Sequence, residues 1–140
     1  MSDATVLYVE DDENAVFFMR FGFEQAGLQN PLQVATTGQE AIDYLAGNAP
    51  FADRGKYPLP GLVLLDVNLP MVPGFDVLKW IRNQPQFESL PVVMISASDS
   101  DDDKENARRL GAQDFMVKTF DIYELPPAVG KLVGRWAGGC

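Results

Sequence analysis

The sequence predicts one α/β domain built on an open parallel sheet with helices on both faces. Its 140 residues are enough for one domain with a hydrophobic core. Five short apolar runs, rich in β-branched residues, alternate with five segments of helical periodicity. The runs are continuously apolar, which is typical of strands buried on both faces. Strands that alternate with helices in this way favour a doubly wound sheet.

The predicted elements follow one another along the chain without an internal repeat. The predicted strands are 5–9, 32–35, 62–65, 91–95 and 115–117. The predicted helices are 13–27, 38–47, 74–84, 100–111 and 125–136. The last helix begins near Leu125, because Pro126 and Pro127 fit only a first helical turn. Residues 48–61 are dense in proline and glycine and are predicted to form a long surface loop.

Composition and charge narrow the possible classes of function. The chain has 11 Lys and Arg against 20 Asp and Glu, a net charge of −9, so it is not expected to bind nucleic acid or a membrane surface. It contains no histidine, which excludes imidazole bases and histidine-ligated zinc within the chain. The single cysteine, Cys140, and the lack of a signal peptide or long apolar run predict a cytoplasmic protein.

Polar side chains follow four of the predicted strands, where ligands bind in open α/β sheets. They are Glu10, Asp11 and Asp12 after the first strand, Asp66 after the third, Ser96 after the fourth and Lys118 after the fifth. Clustered carboxylates repel each other unless a cation is present, and oxygen ligands without His or Cys favour Mg²⁺. A carboxylate beside Mg²⁺ and Lys118 can accept a phosphoryl group, to which Ser96 could donate a hydrogen bond.

At these positions the chain resembles the response-regulator receiver domain of bacterial two-component signalling, and the resemblance spans nearly the whole sequence. The matching motifs are Val9-Glu10-Asp11-Asp12, Leu65-Asp66-Val67-Asn68-Leu69-Pro70 with Gly74, Val93-Met94-Ile95-Ser96-Ala97, Gly111-Ala112 and Phe115-Met116-Val117-Lys118. The resemblance implies a flavodoxin-like sheet in order 2-1-3-4-5, with two helices on one face and three on the other. The whole chain, 1–140, is expected to be one receiver with a core of about 4–136 and no output domain. The 48–61 loop resembles stand-alone receivers that are paired with phytochrome-like kinases.

The resemblance also implies a role for each site residue. Asp66 is the expected phosphoacceptor, and its donor is a phosphohistidine on a sensor histidine kinase or a His-phosphotransfer protein. The expected ligands of Mg²⁺ are Asp11, Asp66, the Asn68 backbone carbonyl and, partly through water, Glu10. Lys118 is expected to form an ion pair with the phosphoryl group. Ser96 and Phe115 are the expected switch residues. The protein is then a switch with self-catalysed transfer and hydrolysis, not an enzyme, and it signals to an unknown protein target as a monomer or homodimer.

Several residues have a second interpretation. Asp12 is more simply the N-cap of the first helix, a role that Asn14 could share, than a metal ligand. Phe115 is as well explained by a place in the core as by a switch role. The acidic run from Asp99 to Asp103 is typical of a solvated helix start. Thr119 stands where receivers usually have proline, often after a cis bond, so the geometry of the Lys118–Thr119 bond stays open.

The first predicted helix has aromatic residues on both faces. Its apolar face comprises Ala15, Phe18, Met19, Gly22, Phe23 and Ala26. Phe17 and Phe21 lie on the opposite face, which suggests a docking patch. Because the kinase's helical domain contacts the first helix of receivers, the resemblance suggests that Phe17 and Phe21 anchor the phosphodonor. The alternative is that the 48–61 loop or the C-terminus covers them.

Two other functions compete with the receiver interpretation. A Mg²⁺-dependent aspartyl-phosphate phosphohydrolase would use a similar sheet. Those enzymes carry an Asp-x-Asp motif at the end of their first strand, whereas here the expected acceptor follows the third strand. A phosphorylation-independent interaction module is expected to have lost Asp66, Lys118 or the acidic pair, and all of these are present.

Overall fold

Five parallel strands form a single sheet in the computed structural model, which describes residues 4–137. The strands are β1 (Val6–Val9), β2 (Leu32–Ala35), β3 (Leu62–Asp66), β4 (Val92–Ser96) and β5 (Asp114–Val117). Their order across the sheet is β2-β1-β3-β4-β5, and every neighbouring pair is parallel. The order and direction of the strands therefore confirm the prediction. Cys140 lies outside the described residues.

Four α-helices connect consecutive strands and a fifth follows β5, in the predicted sequence order. They are α1 (Glu13–Gln25), α2 (Gly38–Ala46), α3 (Gly74–Arg82), α4 (Asp101–Arg109) and α5 (Leu125–Trp136). A short 3₁₀ helix, Pro85–Phe87, follows α3 and was not predicted. Within residues 4–137, none of the helices has the length and apolar character needed to cross a lipid bilayer.

Alternate residues of the central strands support two separate cores. In β1, Leu7 and Val9 pack toward α2, α3 and α4, whereas Val6 and Tyr8 pack toward α1 and α5. Strand side chains alternate between the two faces of a sheet, so a continuously apolar strand supplies both cores. The helices are thus divided two and three between the faces, as predicted.

The N-termini of α1 and α4 are capped by side chains. Asp12 is the N-cap of α1, because its Oδ1 accepts a hydrogen bond from the Asn14 backbone N–H at 2.9 Å. Ser100 caps α4 in the same way, and its Oγ accepts from the Asp103 N–H at 3.3 Å. The helix therefore begins at Asp101, one residue later than predicted. These contacts support the capping interpretation of Asp12 and the helix-start interpretation of the acidic run.

The 48–61 loop closes the C-terminal end of α2. The Arg54 guanidinium donates to the backbone carbonyls of Tyr44 and Leu45 at 2.9 and 3.0 Å. Carbonyls at a helix C-terminus lack partners within the helix and carry partial negative charge, so an arginine there is doubly favourable. Phe51 and Tyr57 of the loop pack against the core formed with α2, α3 and α4, on the face of the sheet opposite α1, so this part of the loop does not cover Phe17 or Phe21.

Candidate functional site

The candidate site lies at the carboxyl edge of the sheet, where the central strands end. Asp66 is the last residue of β3, Ser96 is the last of β4, and Glu10 follows β1 directly. These three side chains are almost fully buried, with exposed fractions of 3%, 0% and 1%. Polar groups buried to this degree require hydrogen-bond or ionic partners, and the neighbouring strand ends supply them.

Three carboxylates converge at this edge. Glu10, Asp11 and Asp66 each bring a carboxylate oxygen within 4.8 Å of the other two. Asp11 is exposed whereas the other two are buried, so the cluster is accessible from the side of Asp11. Such a cluster is self-repelling without a cation, and oxygen donors of this kind are preferred by hard divalent ions. The donor set therefore fits Mg²⁺.

Lys118, which follows β5, places its ammonium between two of these carboxylates. Its Nζ lies 2.6 Å from Glu10 Oε1 and 3.2 Å from Asp66 Oδ2. Burial by itself lowers the pKa of Lys118, but the hydrogen bond to Glu10 and the charges of Glu10 and Asp66 together raise it above its ordinary value. The ammonium consequently stays charged and offers a fixed cation beside the Asp66 carboxylate.

The pKa of Glu10 is also displaced upward. Burial is the main cause, the hydrogen bond from Lys118 acts in the opposite direction, and the neighbouring Asp66 adds to the rise. A carboxylate that is buried beside another carboxylate binds a proton more readily than one in water. A cation near Glu10 therefore favours its charged form.

Both oxygens of Asp66 have defined partners. Oδ1 accepts a hydrogen bond from the Asn68 backbone N–H at 3.0 Å, and Oδ2 faces Lys118. Behind Asp66, α3 begins at Gly74, where a Cβ would lie 2.1 Å from the backbone carbonyl oxygen of Asp66. Close packing of a helix start against the strand end thus holds Asp66 in place. Metal ligation by the Asn68 carbonyl stays a prediction.

Ser96 and Phe115 lie on neighbouring strands close to this cluster. The Ser96 hydroxyl accepts from the Ser98 backbone N–H at 3.1 Å and donates to Asp103 Oδ2 of α4 at 3.3 Å. Phe115 of β5 is half-buried against the core formed with α2, α3 and α4. Both lie at the strand positions that the sequence predicted. The acceptor for Ser96 is Asp103, which the sequence analysis had assigned only to a solvated helix start.

The peptide bond between Lys118 and Thr119 is trans, since among residues 4–137 the cis bond is the one that precedes Pro50. The Thr119 hydroxyl accepts a hydrogen bond from the Asp121 backbone N–H at 3.1 Å. The loop after β5 is therefore stabilised locally by a side chain that proline could not supply.

Tyr8 is a site residue that the sequence analysis missed. It lies in β1, and its hydroxyl donates to Glu10 Oε1 at 3.1 Å. Burial, followed by the charge of Glu10, raises the pKa of Tyr8 far above its ordinary value, so the hydroxyl keeps its proton. A signal was present in the sequence, because a tyrosine inside a fully buried strand needs a hydrogen-bond partner.

Four aromatic side chains form a patch beside the site, which we call the aromatic patch: Phe17, Phe18, Phe21 and Phe120. Phe17 is 74% exposed, as predicted. Phe21 is only partly exposed, because its ring stacks on Phe18 with centroids 5.6 Å apart. Phe18 in turn contacts Phe120 at 5.5 Å. Phe18 was predicted to lie in the core and Phe21 to face solvent, but both are partly buried. Residues three apart on a helix contact each other, so the two rings do not belong to separate faces.

Comparisons with known proteins agree with this geometry. The family model described as "Response regulator receiver domain" matches residues 6–130. The probable methanogenesis regulatory protein FilR2 of Methanothrix harundinacea is 30% identical over 133 residues, which cover 95% of this chain and 83% of that protein. The regulator PhoP of Bacillus subtilis is 30% identical over 130 residues, and the chain spans about half of its length (48%).

Solved structures with the same fold include receivers from light signalling. The response regulator RPA3017, described as acting in red light signaling of R. palustris, has a TM-score of 0.91 and 30% identity over 98% of this chain and 96% of that one. The bacteriophytochrome response regulator AtBRR has a TM-score of 0.77 and 30% identity over 94% of both chains. These likenesses confirm the predicted resemblance to receivers of phytochrome systems. Together with the family match over most of its length, they establish that the chain belongs to the response regulator receiver domain family.

Proposed function

We propose that this chain accepts a phosphoryl group onto Asp66 from a phosphohistidine of a sensor histidine kinase or a His-phosphotransfer protein. The observation that carries the proposal is the meeting of the buried Asp66 carboxylate with Lys118 and two further carboxylates. These 140 residues contain no histidine, which agrees with a donor imidazole on another protein. Receiver domains act in general as phosphoacceptor switches that contact a kinase and downstream targets.

The chemistry follows from the groups present. A carboxylate oxygen of Asp66 attacks the phosphorus, an O–P bond forms, and the P–N bond breaks with its electron pair left on the donor imidazole. Lys118 stabilises the charge on the phosphoryl oxygens. The residues that would hold Mg²⁺ are Asp11, Asp66, the Asn68 carbonyl and, partly through water, Glu10. When bound, the ion neutralises phosphoryl charge and relieves the repulsion between the carboxylates.

Phosphorylation by a small donor tests the proposal without the kinase. We expect incubation with acetyl phosphate and Mg²⁺ to add one phosphoryl group to the protein, as measured by intact mass, and EDTA to prevent the addition. A protein that stays unmodified at saturating Mg²⁺ and acetyl phosphate would overturn the proposal in favour of a phosphorylation-independent module.

We propose that the switch between the two states depends on the single proton of the Ser96 hydroxyl. A hydroxyl donates one hydrogen bond, so Ser96 cannot donate to Asp103 and to a phosphoryl oxygen at the same time. The unphosphorylated protein is thus stabilised by a contact that the phosphorylated one has to break. Phe115 is the second proposed switch residue, and its half-buried ring turns inward when Ser96 moves.

The Asp103→Ala variant removes the competing acceptor. We expect it to bind beryllofluoride, a mimic of the phosphoryl group, about fivefold more tightly, since the lost hydrogen bond contributes about 1 kcal/mol to the unphosphorylated state alone. Affinity is measured by NMR titration with Mg²⁺ and fluoride present. The control is Asp102→Ala, which removes a carboxylate from the same helical turn but makes no contact with Ser96. Equal beryllofluoride affinities in both variants would contradict the switch proposal.

The aromatic patch is proposed as the contact surface for the helical phosphodonor domain. Its position supports this role, because α1 begins three residues after Glu10 and Phe120 follows Lys118 by two residues. A donor helix on the patch would thus bring its phosphohistidine to the mouth of the acidic cluster. Buried aromatic residues dominate the free energy of many protein interfaces.

Replacing both Phe17 and Phe21 with serine tests the patch. We expect transfer from a histidine kinase that phosphorylates the wild-type protein to slow by about 10- to 100-fold, because two aromatic anchors are lost. Phosphorylation by acetyl phosphate should be unchanged, which separates docking from chemistry. The control is Leu59→Ser, an exposed apolar residue in the 48–61 loop at the opposite edge of the sheet. Kinase transfer at the wild-type rate in the double variant would exclude this surface.

A further inference from the structure

We propose that Tyr8 is a positioning residue of the acidic site, which holds the Glu10 carboxylate in the orientation that binds the divalent ion. The proposal deepens the proposed function, since it concerns the same site. Tyr8 and Glu10 are two residues apart in the chain, so their side chains point to the same face of the sheet. Each is 1% exposed, and water therefore cannot replace the hydroxyl that Tyr8 supplies.

Three donors fix the Glu10 carboxylate. Oε1 accepts from the Tyr8 hydroxyl at 3.1 Å and from Lys118 Nζ at 2.6 Å. Oε2 accepts from the Asp12 backbone N–H at 3.2 Å. Tyr8 differs from the other two donors, because its side chain is buried among core residues rather than placed at the mouth of the site. It connects the site to the core between β1, α1 and α5.

Glu10 and Asp66 share the Lys118 ammonium, so the Tyr8 hydroxyl also affects how Lys118 is divided between them. Lys118 contacts both Glu10 and Asp66, so the two carboxylates compete for one cation. Without the tyrosine hydroxyl, Lys118 is the only side chain left to donate to Glu10 Oε1 among the described residues. Outer partners of metal ligands contribute substantially to metal affinity when they fix a ligand's orientation. Tyr8 thereby leaves Lys118 free to contact the acceptor carboxylate.

The Tyr8→Phe variant removes the hydroxyl and keeps the ring. We expect its Mg²⁺ affinity, measured by isothermal titration calorimetry, to fall about tenfold. The Mg²⁺ concentration for half-maximal phosphorylation by acetyl phosphate should rise by the same factor.

Tyr44→Phe is the matched control. Tyr44 is also 1% exposed, and its hydroxyl donates to the Pro58 carbonyl at 2.8 Å, far from the acidic cluster. Both variants lose one hydrogen bond of a buried tyrosine, so a general loss of stability affects both alike. We expect Tyr44→Phe to bind Mg²⁺ with wild-type affinity. Wild-type affinity in Tyr8→Phe, or an equal loss in both variants, would overturn the positioning role. Failure of the proposed function would appear separately, as a wild-type protein that binds Mg²⁺ but takes up no phosphoryl group.

Discussion

The Asp66→Asn variant is expected to take up no phosphoryl group from acetyl phosphate under conditions that modify the wild-type protein completely. An amide in place of the carboxylate is a poor nucleophile, and the change removes one of the three clustered carboxylates. The fold should persist, because Asn68 can still donate to the side-chain oxygen and Lys118 keeps its contact with Glu10. Intact mass measures the adduct, and thermal unfolding should show a melting temperature within about 5 °C of the wild-type value.

A control substitution at a second aspartate distinguishes the loss of the proposed acceptor from the loss of one negative charge. Asp76 lies in the first turn of α3 and forms an exposed pair with Lys79. Asp76→Asn should be phosphorylated like the wild-type protein. If Asp66→Asn were modified at the wild-type rate, the acceptor would be another carboxylate, and Asp11 would be the first candidate because it is the exposed member of the cluster.

The strands were the most predictable part of the fold, because a strand buried on both faces leaves a continuous apolar run. Helix ends were less predictable. The first helix was expected to reach residue 27 but ends at Gln25, where Gly27 adopts a positive φ of 72° and Leu28 donates back to the Phe23 carbonyl. A glycine can end a helix in this conformation or simply lie within one, and local periodicity does not distinguish the two.

The convergence of the site residues was predictable for a similar reason. Parallel strands bring their carboxyl ends to one edge, so the positions of Glu10, Asp66 and Lys118 follow from the strand assignment. The partners of Tyr8 and Ser96 were not predictable in this way. They depend on side-chain rotamers and on how α4 approaches β4, which the order of elements does not determine. The half-burial of Phe21 likewise depends on stacking, which helical periodicity does not describe.

Replacing Gly74 with alanine is expected to be the most destabilising of the changes considered. The added Cβ would lie 2.1 Å from the Asp66 carbonyl oxygen, and further backbone atoms lie within 3.0 Å. Backbone atoms cannot rotate away as a side chain can, so α3 has to move off the end of β3. We expect the free energy of unfolding, measured by urea denaturation, to fall by about 3 kcal/mol. Mg²⁺ affinity should fall as well, because the same shift displaces Asp66 within the carboxylate cluster.

Gly134 on α5 is the control for Gly74, because it has space for a side chain. A Cβ there meets no atom within 4 Å, so alanine should raise the free energy of unfolding by about 0.5–1 kcal/mol through its higher helix propensity. If both glycines responded alike, helix propensity would explain them and the close approach of α3 to Asp66 would have no energetic role. Opposite signs would instead show that glycine at position 74 is required by space. The start of α3 would then be part of the phosphoacceptor site, although its side chains take no part in the chemistry.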